Sequence, residues 1–203
     1  MQTFIRRPGW ASPLLAVLLC CATLLRADPI TPNRDMTAAF EAAEINDWVQ
    51  AFRFAERVGD PLALDLILWT RLREGQGDWW EYPDFLRKHP DWPGLARLRK
   101  AGEADMPEGL RASDVQAFFA NDAPQTGTGA LRLGAALQAG GDLPAAQEVI
   151  RTAWRDLSLT EEEHDAFVAE WPRTLRGHHE VRLDNLLWDG RGRAAARQLP
   201  HVG

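Results

Sequence analysis

Cysteine is nearly missing from this sequence: its two copies, Cys20 and Cys21, sit side by side in an apolar run near the N-terminus. Serine is almost as scarce, and beyond that run only Ser113 and Ser158 occur. Alternation of apolar and polar residues does not persist anywhere, which leaves no convincing β-strand. Positive charge is not in excess either, the formal net charge being −6. An acidic chain has no bulk electrostatic reason to hold nucleic acid or an anionic membrane. No G-x-S-x-G turn presents a serine nucleophile, and Ser113 and Ser158 both lie beside helix starts, where capping or turn roles suit them. The GTG at 127–129 is followed by no further glycine at the required spacing and preceded by no strand, so a phosphate-cradling loop is also excluded.

What the N-terminus does contain is a basic start, Arg6 and Arg7, then the apolar run ASPLLAVLLCCATLL and a small residue, Ala27, ahead of DPITP. Those are the parts of a secretory signal peptide, expected over 1–27. The run is too short to cross a bilayer, which takes roughly 20 apolar residues. A buried first helix would place both cysteines in a core, but no amphipathic pattern is present. Lipidation of Cys20 or Cys21 is the other alternative; Leu19 stands where a lipoprotein would carry a small residue. Export with cleavage after Ala27 is the reading taken, with no stable membrane insertion afterwards. Loss of Arg6, Arg7 and Arg26 moves the formal charge from −6 to −9. It also removes both cysteines, so the fold needs no disulfide, and thiol catalysis and cysteine-ligated metals are excluded.

Residues 28–203 are long enough for one domain, and the spacings of three and four that recur through them are helical. LRLGAALQAGGDLPAAQEVIRTAW reads as a helical hairpin. Gly140-Gly141 ends the first helix, Asp142 caps the second, and Pro144 is tolerated in its first turn. Ala146, Val149, Ile150, Ala153, Trp154 and Leu157 form one apolar face. The same turn chemistry appears at Gly59-Asp60, between DWVQAFRFAERV and PLALDLILWTRLREG, and at Gly190, between HHEVRLDNLLW and GRAAARQL. A single hairpin cannot bury its own faces. Three of them predict an all-α fold: an irregular α-solenoid or superhelix of nine or ten short helices in stacked hairpins. Leu62–Leu72 is apolar around most of its circumference and should be an inner helix. Capping boxes are predicted at Thr160–Glu163 and at Ser113–Gln116. Helix breaks are predicted at Pro83, at His89-Pro90, before Pro93 and at Met106-Pro107. Residues 121–129, NDAPQTGTG, should form a long loop that joins parts of one array, and Asp28–Asn33 a loose leader.

Candidate sites are few. Glu161-x-x-His164 has the spacing of a di-iron motif, yet no second copy exists and Glu163 belongs to the predicted cap. His178, His179 and Glu180 are adjacent and diverge by about 100° on a helix, so a solvated helix start explains them. No metal or cofactor is therefore expected. The stretch Asp78-Trp79-Trp80-Glu81-Tyr82 is the most sugar-like. Flat aromatic faces stack on a pyranose while acids take its hydroxyls, which makes Trp79, Trp80 and Tyr82 candidate glycan contacts. The competing role is to lock neighbouring repeats together, and Trp92 in HPDWPG reads as such an anchor.

DWVQAFRFAERVGDPLALDLILWTRLREG, FLRKHPDWPGLARLRKAGEADMP, LRLGAALQAGGDLPAAQEVIRTAWRDLSLTEEEHDAFVAEWP and HHEVRLDNLLWDGRGRAAARQLP together resemble the N-terminal helical superhelix of soluble lytic transglycosylases. The likeness covers nearly all of 28–203, and HPDWPG and the hairpin that begins at Trp48 carry most of it. It implies a periplasmic protein of peptidoglycan turnover. In that family a lysozyme-like domain at the C-terminal end of the superhelix cleaves between N-acetylmuramic acid and N-acetylglucosamine, leaving a 1,6-anhydromuramyl end. A glutamate in a Glu-Ser motif serves there as acid and then base. None of the thirteen glutamates here is followed by serine, so no catalytic residue carries over. The expectation is a scaffold segment that is non-catalytic by itself and incomplete at its C-terminal end, where RGRAAARQLPHV presents Ala194, Ala195 and Leu199 like an internal repeat. Its partners would be peptidoglycan or a catalytic transglycosylase domain. The alternative is a free-standing TPR-like adaptor that binds other periplasmic proteins.

Overall fold

The structure is a computed structural model and describes residues Asn33–Gly203. The signal peptide expected over 1–27, and the leader up to Pro32, lie outside the described residues. Every regular element described is helical. In chain order they are α1 (Arg34–Glu44), α2 (Trp48–Val58), α3 (Pro61–Arg73), α4 (Glu81–Lys88), α5 (Leu95–Ala104) and α6 (Ala112–Phe118). There follow α7 (Gly127–Ala139), α8 (Leu143–Asp156), α9 (Glu161–Glu170), α10 (Pro172–Leu175), α11 (His179–Trp188) and α12 (Gly192–Gln198). A 3-10 turn, Leu199–His201, comes last. The described helices exceed the nine or ten expected, and the excess includes the single-turn α10. One turn begun by a proline is too short to show a helical period.

Helix starts follow local chemistry. A helix leaves its first amide groups unpaired, and a short polar side chain just ahead of it accepts from one of them. Asp60 accepts from Leu62 N, Asp47 from Gln50 N and Asp142 from Ala145 N. Asn33 takes two amides, those of Asp35 and Met36. At Thr160 the predicted capping box forms in full: Thr160 Oγ1 accepts from Glu163 N at 3.1 Å, and Glu163 Oε2 accepts from Thr160 N at 2.9 Å. The three hairpin turns use glycine as expected, with φ of +74° at Gly59, +86° at Gly141 and +69° at Gly190. Side chains with a Cβ are strained in that left-handed region.

Three local expectations are corrected. Pro83 breaks nothing; it lies in the first turn of α4, where its missing N–H leaves no bond unmade. Ser113 is not a cap, because α6 starts at Ala112 behind Arg111. The Gln116 amide nitrogen instead donates across to Ala136 O at 3.1 Å. The loop expected over 121–129 ends at Thr126, whose hydroxyl accepts from Gly129 N and opens α7. Gly127 and Gly129 lie within that helix, and neighbours crowd them: an added Cβ would meet Glu163 and Leu159 at the first and Glu103 at the second.

Apolar side chains gather in three clusters. Ala39, Ala51, Ala55 and Ile67 centre the first, which joins α1, α2 and α3. The second is the largest and runs from Leu72 through Tyr82, Phe85, Leu98 and Phe118 to Leu133 and Ala136. The third packs Ile150, Trp154, Phe167, Trp171 and Leu175 under α7. As expected, α3 is an inner helix, packed by α1, α2, α4 and α5. Trp92 is the predicted anchor, edge-on to Trp69 at 6.1 Å and to Phe85 at 5.3 Å.

Helices α4 and α5 approach closely at Gly102. A Cβ there would stand 2.9 Å from Cγ of the buried Tyr82 ring and 3.0 Å from its Cβ. Those atoms are the root of the side chain and cannot swing away. Gly102→Ala is therefore expected to destabilise the fold by about 1–3 kcal/mol, read as a lower urea midpoint. An unchanged midpoint would mean that the two helices part at no cost.

Candidate functional site

The residues DWWEY form a tight corner that leads into α4, whose first two residues are Glu81 and Tyr82. Glu81 holds it: one carboxylate oxygen accepts from Asp78 N at 2.7 Å and the other pairs with Arg71. Glu81 is thus committed to the fold. Trp79 turns inward, 6% exposed, and meets Phe118 of α6 at 6.1 Å between centroids. Its indole N–H is buried with no hydrogen-bond partner. Trp80 turns outward, 58% exposed, and sits edge-on to Trp79 at 4.8 Å. Tyr82 is fully buried against α5. Burial, then the charge of Asp105, pushes its hydroxyl up to about 12, and the hydroxyl donates to Asp105 Oδ2 at 3.3 Å. Of the three aromatics singled out in the sequence, Trp79 and Trp80 share one cleft, while the Tyr82 ring offers no face to a ligand.

That cleft lies between α4, α5 and α6 and encloses about 600 Å³, within the range of small-molecule sites. Trp80, Pro83, Leu86, Pro90 and Phe118 give it apolar walls. Three arginines supply donors, each held by an acid. Arg87 Nη2 is 2.6 Å from Asp84, Arg99 Nη1 is 2.9 Å from Asp122, and Arg111 meets Asp114 through two contacts at 2.9 and 3.3 Å. Exposed pairs of this kind add at most about 1 kcal/mol to stability, so their ends remain available to a ligand. Asn121 completes the polar side. The chemistry on offer is an indole platform flanked by guanidinium donors and by carboxylate and amide acceptors. Neither the three arginines nor Asn121 could be picked out beforehand. They come from three separate segments, and only the packing of α4, α5 and α6 brings them together.

The histidine motifs fall elsewhere. Glu161 pairs with Arg197 at 3.4 Å, while Glu163 caps α9 and accepts from Thr128 N at 2.7 Å. His164 is buried and bonds to Gln198 and Asp165. The solvated helix start expected at His178, His179 and Glu180 is corrected for His179, whose ring is half-buried and stacks on His201. Among the described residues, no group of three or more histidines, cysteines or acids is placed to hold a metal ion. None of the described helices is long and apolar enough to cross a membrane. Comparison of the chain with family models, with curated proteins and with solved structures finds no match.

Proposed function

We propose that the helices form one continuous α-solenoid, and that the chain is a periplasmic scaffold segment of a soluble lytic transglycosylase. On this reading it serves peptidoglycan turnover and is non-catalytic by itself. The carrying observation is the cleft with Trp80 standing half out of it, ringed by polar groups that suit a hydroxyl-rich, amide-bearing glycan. Packing mainly between helices near in sequence supports the solenoid, since each repeat of such a fold rests on its neighbours. The sequence likeness to the transglycosylase superhelix supports the assignment to peptidoglycan.

Sedimentation with purified peptidoglycan tests this. The chain is expected in the pellet, and Trp80→Ala should weaken retention by about tenfold, or about 1.4 kcal/mol, with the helical circular dichroism unchanged. A folded chain that stays in the supernatant would sink the glycan reading. The adaptor reading has its own observation: Leu187, Leu199 and above all Trp188, 90% exposed, stand in solvent near the last hairpin. Capture of one periplasmic protein, lost on Trp188→Ala and kept on Trp80→Ala, would favour it.

A further inference from the structure

The last hairpin is held to the helices before it by an unusual set of side chains. Gln198 of α12 is fully buried, and its amide faces two imidazoles. Its nitrogen donates to His179 Nδ1 at 3.1 Å and to the His179 carbonyl at 3.2 Å. Because a carbonyl only accepts, that end of the amide must be the nitrogen. The oxygen therefore faces His164 Nε2 at 3.2 Å and requires a proton there. On its other side His164 Nδ1 lies 3.1 Å from Asp165 Oδ1. His201, in the 3-10 turn, stacks on His179 with centroids 5.5 Å apart and planes at 21°, and stands 5.4 Å from His164. Gln198 thus joins two of the rings, and the third, His201, packs against both.

The two imidazoles bonded to Gln198 respond to protons in opposite ways. His164 already gives a hydrogen to Gln198, and a second proton on Nδ1 would find the Asp165 carboxylate, so protonation costs it no bond. His179 accepts from Gln198 at Nδ1. A proton there turns the acceptor into a donor and sets two N–H groups against each other. The new charge would also be ill placed. His164 of α9, His201 of the 3-10 turn and His178 just before α11 all face it, while Arg182 of α11 lies over the Trp154 ring at 4.4 Å. From α8 comes the uncharged Trp154 ring, 5.6 Å away, and from α12 Arg197, which is occupied with Glu161. Among the described residues no carboxylate lies within ion-pair distance of His179 or His201.

We propose that α12 and the 3-10 turn form a latch released by protons: neutral His179 holds it shut through Gln198, and protonation of its Nδ1 opens it. Burial, with His201 next, holds His179 below the usual histidine range. A base whose pKa is lower in the fold than in the unfolded chain stabilises the fold above the unfolded value. That contribution is lost as pH falls through the folded one. Release is thus an acid-side event that acts on α12 and the 3-10 turn through Gln198, and the large cluster around Tyr82 shares none of these rings.

Hydrogen exchange on the whole chain, corrected for the pH dependence of intrinsic exchange, tests the latch. Between about pH 7.5 and about pH 5, protection over residues 192–202 should fall by about tenfold or more, while α7 keeps its protection. His179→Asn places a non-titrating amide oxygen near the position of Nδ1, and should hold the segment protected at both pH values. Gln198→Leu should leave it open at both. Imidazole NMR titration of the unaltered chain gives a check independent of any variant: His179 should take up its proton where protection is lost. Protection that ignores pH overturns the proposal. So does an unchanged acid response in folded His179→Asn, or opening at a pH where His179 is still neutral.

Discussion

Trp154→Ala is expected to destabilise the protein by about 3–5 kcal/mol, the range for removing a buried tryptophan. Urea unfolding should show a much lower midpoint with little change in slope. The indole is fully buried, and the side chains set against it come from two other helices, α9 and α11. His164 and Phe167 of α9 lie at 5.2 and 5.8 Å, and His179 of α11 lies edge-on at 5.6 Å. The fourth neighbour raises the cost. Arg182 is only 2% exposed and rests its guanidinium on the indole face while donating to the carbonyl of Trp154 itself. That carbonyl is among the last of α8, where helical partners run out and a cation is favourable. Burial, with Arg191 and Arg197 next, lowers Arg182 to about 10, so it remains charged at neutral pH. Without the ring, the cation borders a cavity. Trp154→Phe retains an aromatic face and should recover about half of the loss. A deficit below about 1 kcal/mol in Trp154→Ala would mean that α9 and α11 collapse onto α8 without it.

The second large effect is expected at Glu103, a carboxylate only 1% exposed at the end of α5. One of its oxygens accepts from Gln125 N and Thr126 N, each at 2.8 Å, and from Thr126 Oγ1 at 2.9 Å. It thereby fastens the loop before α7 and orients the residue that caps that helix. Glu103→Ala removes three acceptor contacts and leaves donors away from water, so a loss of about 3 kcal/mol is expected. Exchange should quicken first at the N-terminal end of α7. The pH dependence separates charge from shape. Burial raises the pKa of Glu103 above the usual glutamate value, against the lowering effect of its hydrogen bonds. The folded chain thus favours the protonated acid. That preference stabilises fully below the unfolded pKa and is lost as pH rises through the folded one. The stability of Glu103→Gln relative to the unaltered protein should therefore improve as pH climbs from the ordinary glutamate value. A constant difference would show that Glu103 does not titrate in this window.

The parts of the fold legible in the sequence were those decided within one turn of chain. Gly59, Gly141 and Gly190, the aspartates at 60 and 142, and the Thr160 box act within two or three residues of chain, so residue type and spacing were enough. The buried face of α8 could be read for the same reason, from Ala146 to Trp154. Pro83 was a local miss, a proline tolerated in a first turn; the other failures depended on distant chain. Gln116 has the spacing of a cap partner, but Ala136 O offers it a better bond once α7 packs alongside. Gly127 and Gly129 look like loop residues until Glu163 and Glu103 are seen pressing on them. At the cleft, sequence identified Trp79 and Trp80 by their aromatic surface but misjudged Tyr82. A tyrosine two positions from an exposed tryptophan points about 200° away on a helix, and here that direction is the core. The histidine cluster was hidden for a plainer reason: His164, His179 and the pair Gln198 and His201 lie in three stretches far apart along the chain and meet only in space.

Helix α7 gives Leu133 and Ala136 to the large cluster and Ala130 and Leu131 to the one after it. It is the beam on which both rest. A recombination point inside 127–139 would orphan two cores at once, whereas exchange at the Gly141 turn would leave α7 whole. Segments grafted between proteins of this build should therefore be joined at hairpin tips, with α7 inherited as a unit by whichever side keeps the cleft.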